Sequence, residues 1–231
     1  MLTGTEAQIV ILSLKVAATA IAVALPLAFA VAWLLARRRF PGHGLLQALV
    51  TLPLVLPPVV TGYALLVWFG AGGAAGTFLR ETFGLDLAFR WTGAALAAAV
   101  MAFPLLVRPI RLSLESIDSG LEEAAETLGA GRLRILATVT LPLALPGILA
   151  GGILGFAKAL GEFGATITFV SNIPGQTQTL SLAIYSLLQS PSGDTPALRL
   201  IAVSVVLAIG AIVLSEWVAA RLPGARNGRD G

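Results

Sequence analysis

The sequence predicts an all-α, polytopic membrane protein with five transmembrane helices and a short cytoplasmic helix between the third and fourth. Three observations carry this. Of the 231 residues, 57% are hydrophobic and only 12% charged, with mean hydropathy +0.90; a soluble domain carries about 25% charged residues. Five stretches, about 9–36, 45–70, 92–112, 135–158 and 200–220, reach the ~20 apolar residues that a helix needs to cross a bilayer. The polar interval 117–134 reads as a short amphipathic helix between two such stretches. The whole chain, 1–231, reads as one transmembrane domain.

The first stretch, 9–36, has no basic segment before it and is too long for the apolar part of a signal peptide, so it is expected to stay in the mature protein. Lys15 lies near its outer end, within snorkelling reach of the interface. Arg37, Arg38 and Arg39 close it, and His43, beside Pro41 and Gly42, reads as a solvated turn residue. The second stretch contains LPLVLPPVVTGY, residues 52–63. Pro53, Pro57 and Pro58 must kink or interrupt a helix and free its carbonyls, which a membrane tolerates where protein or a watery cavity satisfies them. The break is either a mere kink or a lining for a path, with Thr51 and Thr61 as polar candidates.

The third and fourth stretches flank the polar interval. After the fourth come Lys158 and Glu162, spaced to pair on one helical face, either as a neutral structural pair or as a polar element beside a path. The segment GEFGATITFVSNIPG, 161–175, follows. Its small residues suit close packing, and Thr166, Thr168 and Ser171 supply hydroxyls able to solvate an oxyanion without a fixed cation. Gly, Pro and Asn break 159–199, leaving room for a short re-entrant helix at 177–190 but no sixth span. Trp33, Trp68, Trp91 and Trp217 fall near predicted span ends, as interfacial anchors do.

Arginines orient the chain. Three groups (Arg37–Arg39; Arg108, Arg111, Arg132 and Arg134; Arg221, Arg226 and Arg229) fall on one side of a five-span layout, against Arg80, Arg90 and Arg199 on the other. The positive-inside rule then puts the N-terminus outside and the C-terminus inside. The net charge of +3 and pI near 10.0 report this orientation. No basic–aromatic interleaving points to nucleic acid; the expected surroundings are membrane lipid.

Chemistry is sparse. With no cysteine and one histidine, disulfides, thiolate metal sites and a multi-histidine site are excluded. No catalytic or metal-ligating set is expected, and no lipid-modifying enzyme. A phosphate-cradling P-loop needs Gly-Lys, but Lys15 follows Leu14 and Lys158 follows Ala157. Any ATP that drives this protein is therefore expected on a separate chain, and no cofactor on this one. An ATP-independent secondary transporter or channel stays open, although the chain shows no internal repeat and few membrane-depth charges.

In the polar interval, Ser119 and Glu122 have the spacing of a capping box. Leu121, Ala124, Ala125 and Leu128 form one apolar stripe, with Glu122, Glu123 and Glu126 pointing elsewhere. Gly129 and Gly131 can end the helix. A short helix with an apolar stripe outside the bilayer is a docking surface for a soluble partner.

The run EAAETLGAGRLRILATVTLP, from Glu123 to Pro142, resembles the EAA loop of binding-protein-dependent ABC importer permeases, with Val139 where that pattern has isoleucine. Together with LPLVLPPVVTGY and GEFGATITFVSNIPG it is similar to the permeases of molybdate importers, over nearly the whole chain. The compact N-terminus favours molybdate over the longer sulfate permeases, and sulfate, thiosulfate and tungstate remain alternatives. The resemblance implies a coupling contact by Glu123, Ala124, Ala125 and Gly129 in a cleft of the ATPase subunit. It implies a path near Thr51, Thr61, Glu162, Thr166, Thr168 and Ser171. It also implies a homodimer of permeases, two ATPase subunits, an extracytoplasmic molybdate-binding protein, and alternating access in the inner membrane of a prokaryote.

Overall fold

A computed structural model describes residues 2–191 and 193–221, and every regular element among them is helical. Helix α1 (Gly4–Arg37) opens with a capping box in which Thr3 Oγ1 accepts from Glu6 N and Glu6 Oε2 accepts from Thr3 N. Alanines 20, 24, 28 and 32 repeat every fourth residue along its buried face, which lets a neighbour approach closely. That neighbour is α5 (Trp91–Glu115), the central helix, which packs between α1 and α8 (Leu141–Leu160). Helix α8 meets α5 through Gly147, Gly151 and Gly155; a Cβ at Gly147 would lie 2.5 Å from the Pro109 carbonyl oxygen. Helix α11 (Asp194–Arg221) packs on α8 and on α10 (Leu180–Leu188). Arg199 of α11 donates to Glu6 Oε1 at 2.6 and 3.0 Å, tying the last span to the start of the first.

Among the described residues, four helical segments are long and apolar enough to span: Gly4–Arg37, Trp91–Glu115, Arg132–Leu160 and Asp194–Ser215. The predicted second span is instead α2 (His43–Val55) and α3 (Pro58–Phe69), bent by 114° at Leu56–Pro57. Pro53 is accommodated inside α2, whereas Pro57 and Pro58 lack the amide hydrogens to continue the ladder. His43 bonds the Leu35 carbonyl at one end of α1, and Phe69 shares a cavity with Leu12 and Lys15 near the other.

His43 is therefore not a solvated turn residue. It is half-buried as the first residue of α2, its Nε2 3.0 Å from the Leu35 oxygen and its ring edge-on to Phe40. Arg199 likewise lies in the last span rather than in a loop. The predicted 177–190 segment contains α10, a nine-residue helix, too short to cross. Arg226 and Arg229 lie outside the described residues.

Candidate coupling face and translocation path

Helix α6 (Ser119–Thr127) follows α5 at the end of the bundle where α1 finishes. Its cap sits one residue earlier than expected. Asp118 is the N-cap and its Oδ1 accepts from Gly120 N at 2.9 Å. Ser119 is then already helical, and Leu121 stands where a capping-box glutamate would be. Glu122, released from capping, turns to the bundle. Its Oε1 accepts from Arg37 Nη2 at 2.9 Å and from Thr140 Oγ1 at 2.7 Å. Thr140 ends a π-helical turn, Leu136–Thr140, between α7 (Arg132–Ile135) and α8.

The C-terminus of α6 closes as the stripe requires. Gly129 takes φ +83°, its N–H reaches the Glu126 carbonyl at 2.9 Å, and Ala130 N reaches the Ala125 carbonyl at 3.0 Å. This is a Schellman motif, with glycine at the left-handed position. Glu123, Ala124 and Gly129 are exposed and Ala125 is half-buried. Beside them Leu121, Leu128 and Leu133 are 50%, 88% and 82% exposed. Large apolar side chains left so open in a polar loop make a surface suited to another protein.

The second feature is a crossing of two interrupted segments. Helix α9 (Gly164–Val170) lies against α3. A Cβ at Gly62 would stand 2.5 Å from the Ala165 carbonyl oxygen and 2.9 Å from Thr168 Cβ; one at Gly164 would stand 2.6 Å from Pro58 Cβ. The two sequences singled out for their breaks thus touch backbone to backbone.

Glu162 is 3% exposed. Its Oε2 meets Lys158 Nζ at 2.5 Å, and its Oε1 accepts from Ala165 N at 3.1 Å, so it also caps α9. Thr166 is buried, and Thr168 Oγ1 donates back to the Gly164 carbonyl. Thr61 is buried with no partner for its hydroxyl, and it lines a cavity of about 230 Å³ with Leu52, Pro53, Leu56 and Trp68.

Thr51 stands apart on α2, its hydroxyl satisfied by the Gln47 carbonyl. Ser171 is exposed at the C-cap of α9 with φ +62°, and its carbonyl accepts from Thr177 Oγ1. Thr177, fully buried, also accepts from Ile173 N and so pins this bend. Sequence reasoning passed over Thr177 and Thr140 and used Arg37 only for orientation, because their roles here rest on folded contacts rather than on a pattern.

A bundle of spans with a capped, outward-facing helix at one end and broken helices crossing within it defines a transport class. The family described as binding-protein-dependent transport system inner membrane component matches residues 24–223, and the chain belongs to it. More particularly, the chain is 56% identical over 229 residues to the molybdenum transport system permease protein ModB of Escherichia coli (strain K12), covering 99% of this chain and 100% of that one. It is 43% identical over 183 residues to the sulfate transport system permease protein CysT of Salmonella typhimurium, covering 79% of this chain and 65% of that one.

Among solved structures it resembles the inward-facing MetNI methionine ABC transporter, with TM-score 0.70, 17% identity and coverage of 96% of this chain and 99% of that one. It also resembles a bacterial alginate ABC transporter in complex with an alginate-bound periplasmic protein, with TM-score 0.68, 18% identity and coverage of 94% and 77%. These two likenesses establish the fold.

Proposed function

We propose that this chain is the membrane-spanning subunit of an ABC importer that translocates molybdate across the cytoplasmic membrane of a prokaryote. The observation that carries the cargo is the end-to-end match to a molybdenum permease. The sulfate relative shares the core but extends beyond it, since the chain spans only 65% of its length.

Energy enters from outside the chain. ATP is bound and hydrolysed on a separate ATPase subunit, which seats on α6 through Glu123, Ala124, Ala125 and the turn at Gly129. The exposure of Leu121, Leu128 and Leu133 supports this reading. An extracytoplasmic molybdate-binding protein delivers cargo at the opposite end, and a second copy of the chain completes a homodimer. The path runs past the α3–α9 crossing. There Thr61 has a buried, unsatisfied hydroxyl, with Thr166 and Thr168 on the facing helix and Thr51 and Ser171 towards its two ends. Hydroxyl donors hold an oxyanion weakly, so it can leave again. The paired Lys158 and Glu162 contribute no net charge there.

The test is genetic. Cells lacking this protein are expected to lose molybdoenzyme activity at low external molybdate and to regain it at high molybdate through weaker anion uptake. Loss of sulfate uptake with molybdoenzymes intact would reassign the cargo.

Orientation is tested separately. We propose that the N-terminus lies outside and the C-terminus inside, a reading supported by the positive-inside rule applied to the arginine groups. Reporter fusions after Arg39, within 120–131 and after Arg221 are expected to report cytoplasm, and one near Gly76 the exterior. A cytoplasmic signal at Gly76 refutes the five-span layout.

A further inference from the structure

We infer that the cavity at the end of the bundle remote from α6 is an anion vestibule that holds the oxyanion between its delivery and its entry into the path. The inference rests on the function proposed above. The cavity encloses about 920 Å³ between the start of α1, the end of α3, α4 (Ala74–Phe83) and the loop before α5. Lys15, from which Arg37 is ~33 Å along α1 at 1.5 Å per residue, is one of its walls. Arg80, Arg90 and Asp86 also line it, so three cations face one carboxylate.

Of the three cations, only Arg90 has a carboxylate partner among the described residues, and that contact is long. Lys15 Nζ lies 3.7 Å from the centre of the Trp91 ring, and it forms no salt bridge among the described residues. An ammonium over an indole is attracted to the ring face but keeps its full charge for a passing anion. Arg80 Nη2 reaches only the Ala71 carbonyl, at 3.4 Å. Arg90 stands 3.8 Å from Asp86, with both side chains about half exposed.

The ligand class follows from this charge and from the room. A tetrahedral oxyanion dianion fits such a cavity with its hydration intact. A dianion that keeps its hydration shell stays separated from the three cations by water, so their attraction is screened and draws it in without trapping it. A charged cleft also raises the local concentration of its counter-ion. The path beyond is lined by hydroxyls and the neutral Lys158–Glu162 pair, so the fixed positive charge for an incoming anion is supplied at its mouth.

The test uses the complete importer, with its ATPase and molybdate-loaded binding protein, in liposomes. Wild type is compared with Lys15→Gln/Arg80→Gln/Arg90→Gln, with each single change, and with Lys15→Arg. All three side chains are exposed, so insertion is expected to be unaffected. Molybdate imported per ATP hydrolysed is expected to fall about tenfold in the triple variant, the lower end of electrostatic focusing, and by less in each single variant. The concentration of loaded binding protein giving half-maximal ATP hydrolysis is expected to stay unchanged, and Lys15→Arg to behave as wild type.

An unchanged import ratio in the triple variant overturns the vestibule. So does a raised half-maximal concentration with an unchanged ratio, which would assign the cations to docking of the binding protein. Wild-type importer that moves no molybdate would instead refute the cargo proposed above.

Discussion

Ala124→Asp is expected to abolish uptake while the protein remains in the membrane. Ala124 is exposed on α6 beside Leu121 and Leu128, outside every span. An aspartate there costs the isolated subunit little, because water solvates it. Seated against an apolar cleft, the same carboxylate would be buried without a partner, at a cost of about 3–5 kcal/mol. At 1.4 kcal/mol per decade of affinity, that weakens the contact by roughly two to three and a half orders of magnitude. Co-purification of the ATPase and substrate-stimulated ATP hydrolysis are expected to disappear together. Full retention of both, with normal uptake, would show that α6 does not couple the two subunits.

Gly62→Val has the second largest expected effect, and its origin is inside the bundle. The new Cβ would fall 2.5 Å from the Ala165 carbonyl oxygen and 2.8 Å from Ala165 Cα. Both are backbone atoms of α9, so no rotamer change relieves the clash. Overpacking of this kind costs about 1–3 kcal/mol or more, and it would push α3 away from α9. Detergent-solubilised protein is expected to unfold several degrees lower than wild type and to transport poorly. Gly72→Val is the control, because nothing lies within 4 Å of a Cβ there. Equal melting midpoints for wild type and Gly62→Val would mean that the crossing is looser than its backbone distances.

The parts legible in the sequence are those set by local spacing. Long apolar runs marked the spans because backbone groups in a bilayer must bond within their own helix. Lys158 and Glu162 were readable as a pair because four residues bring them to one face. Prolines at 57 and 58 announced a break, but its 114° angle depends on packing against α9. The cap of α6 misled because two acceptors compete; the Ser119–Glu122 spacing is present, yet Asp118 takes the extended N-cap position. Glu122 reaches Arg37 across 85 positions, and no periodicity encodes such a meeting. Among the path candidates, glycine-mediated contact sets α3, which carries Thr61, against Ala165 and Thr168 of α9 and leaves Thr51 apart on α2, a sorting that only the fold performs.

The shared carboxylate of Glu122 has a mechanical consequence. One oxygen grips both the last turn of α1 and the π turn that leads into α8. Helix α6 therefore acts as a crank with its pin set between two shafts. A force applied to α6 would reach the feet of the first and fourth spans together, through that one carboxylate oxygen. Either span could move alone at that end only if the pin slipped from Arg37 or from Thr140. The travel that α6 could transmit would thus be limited by how far two hydrogen bonds stretch before one lets go.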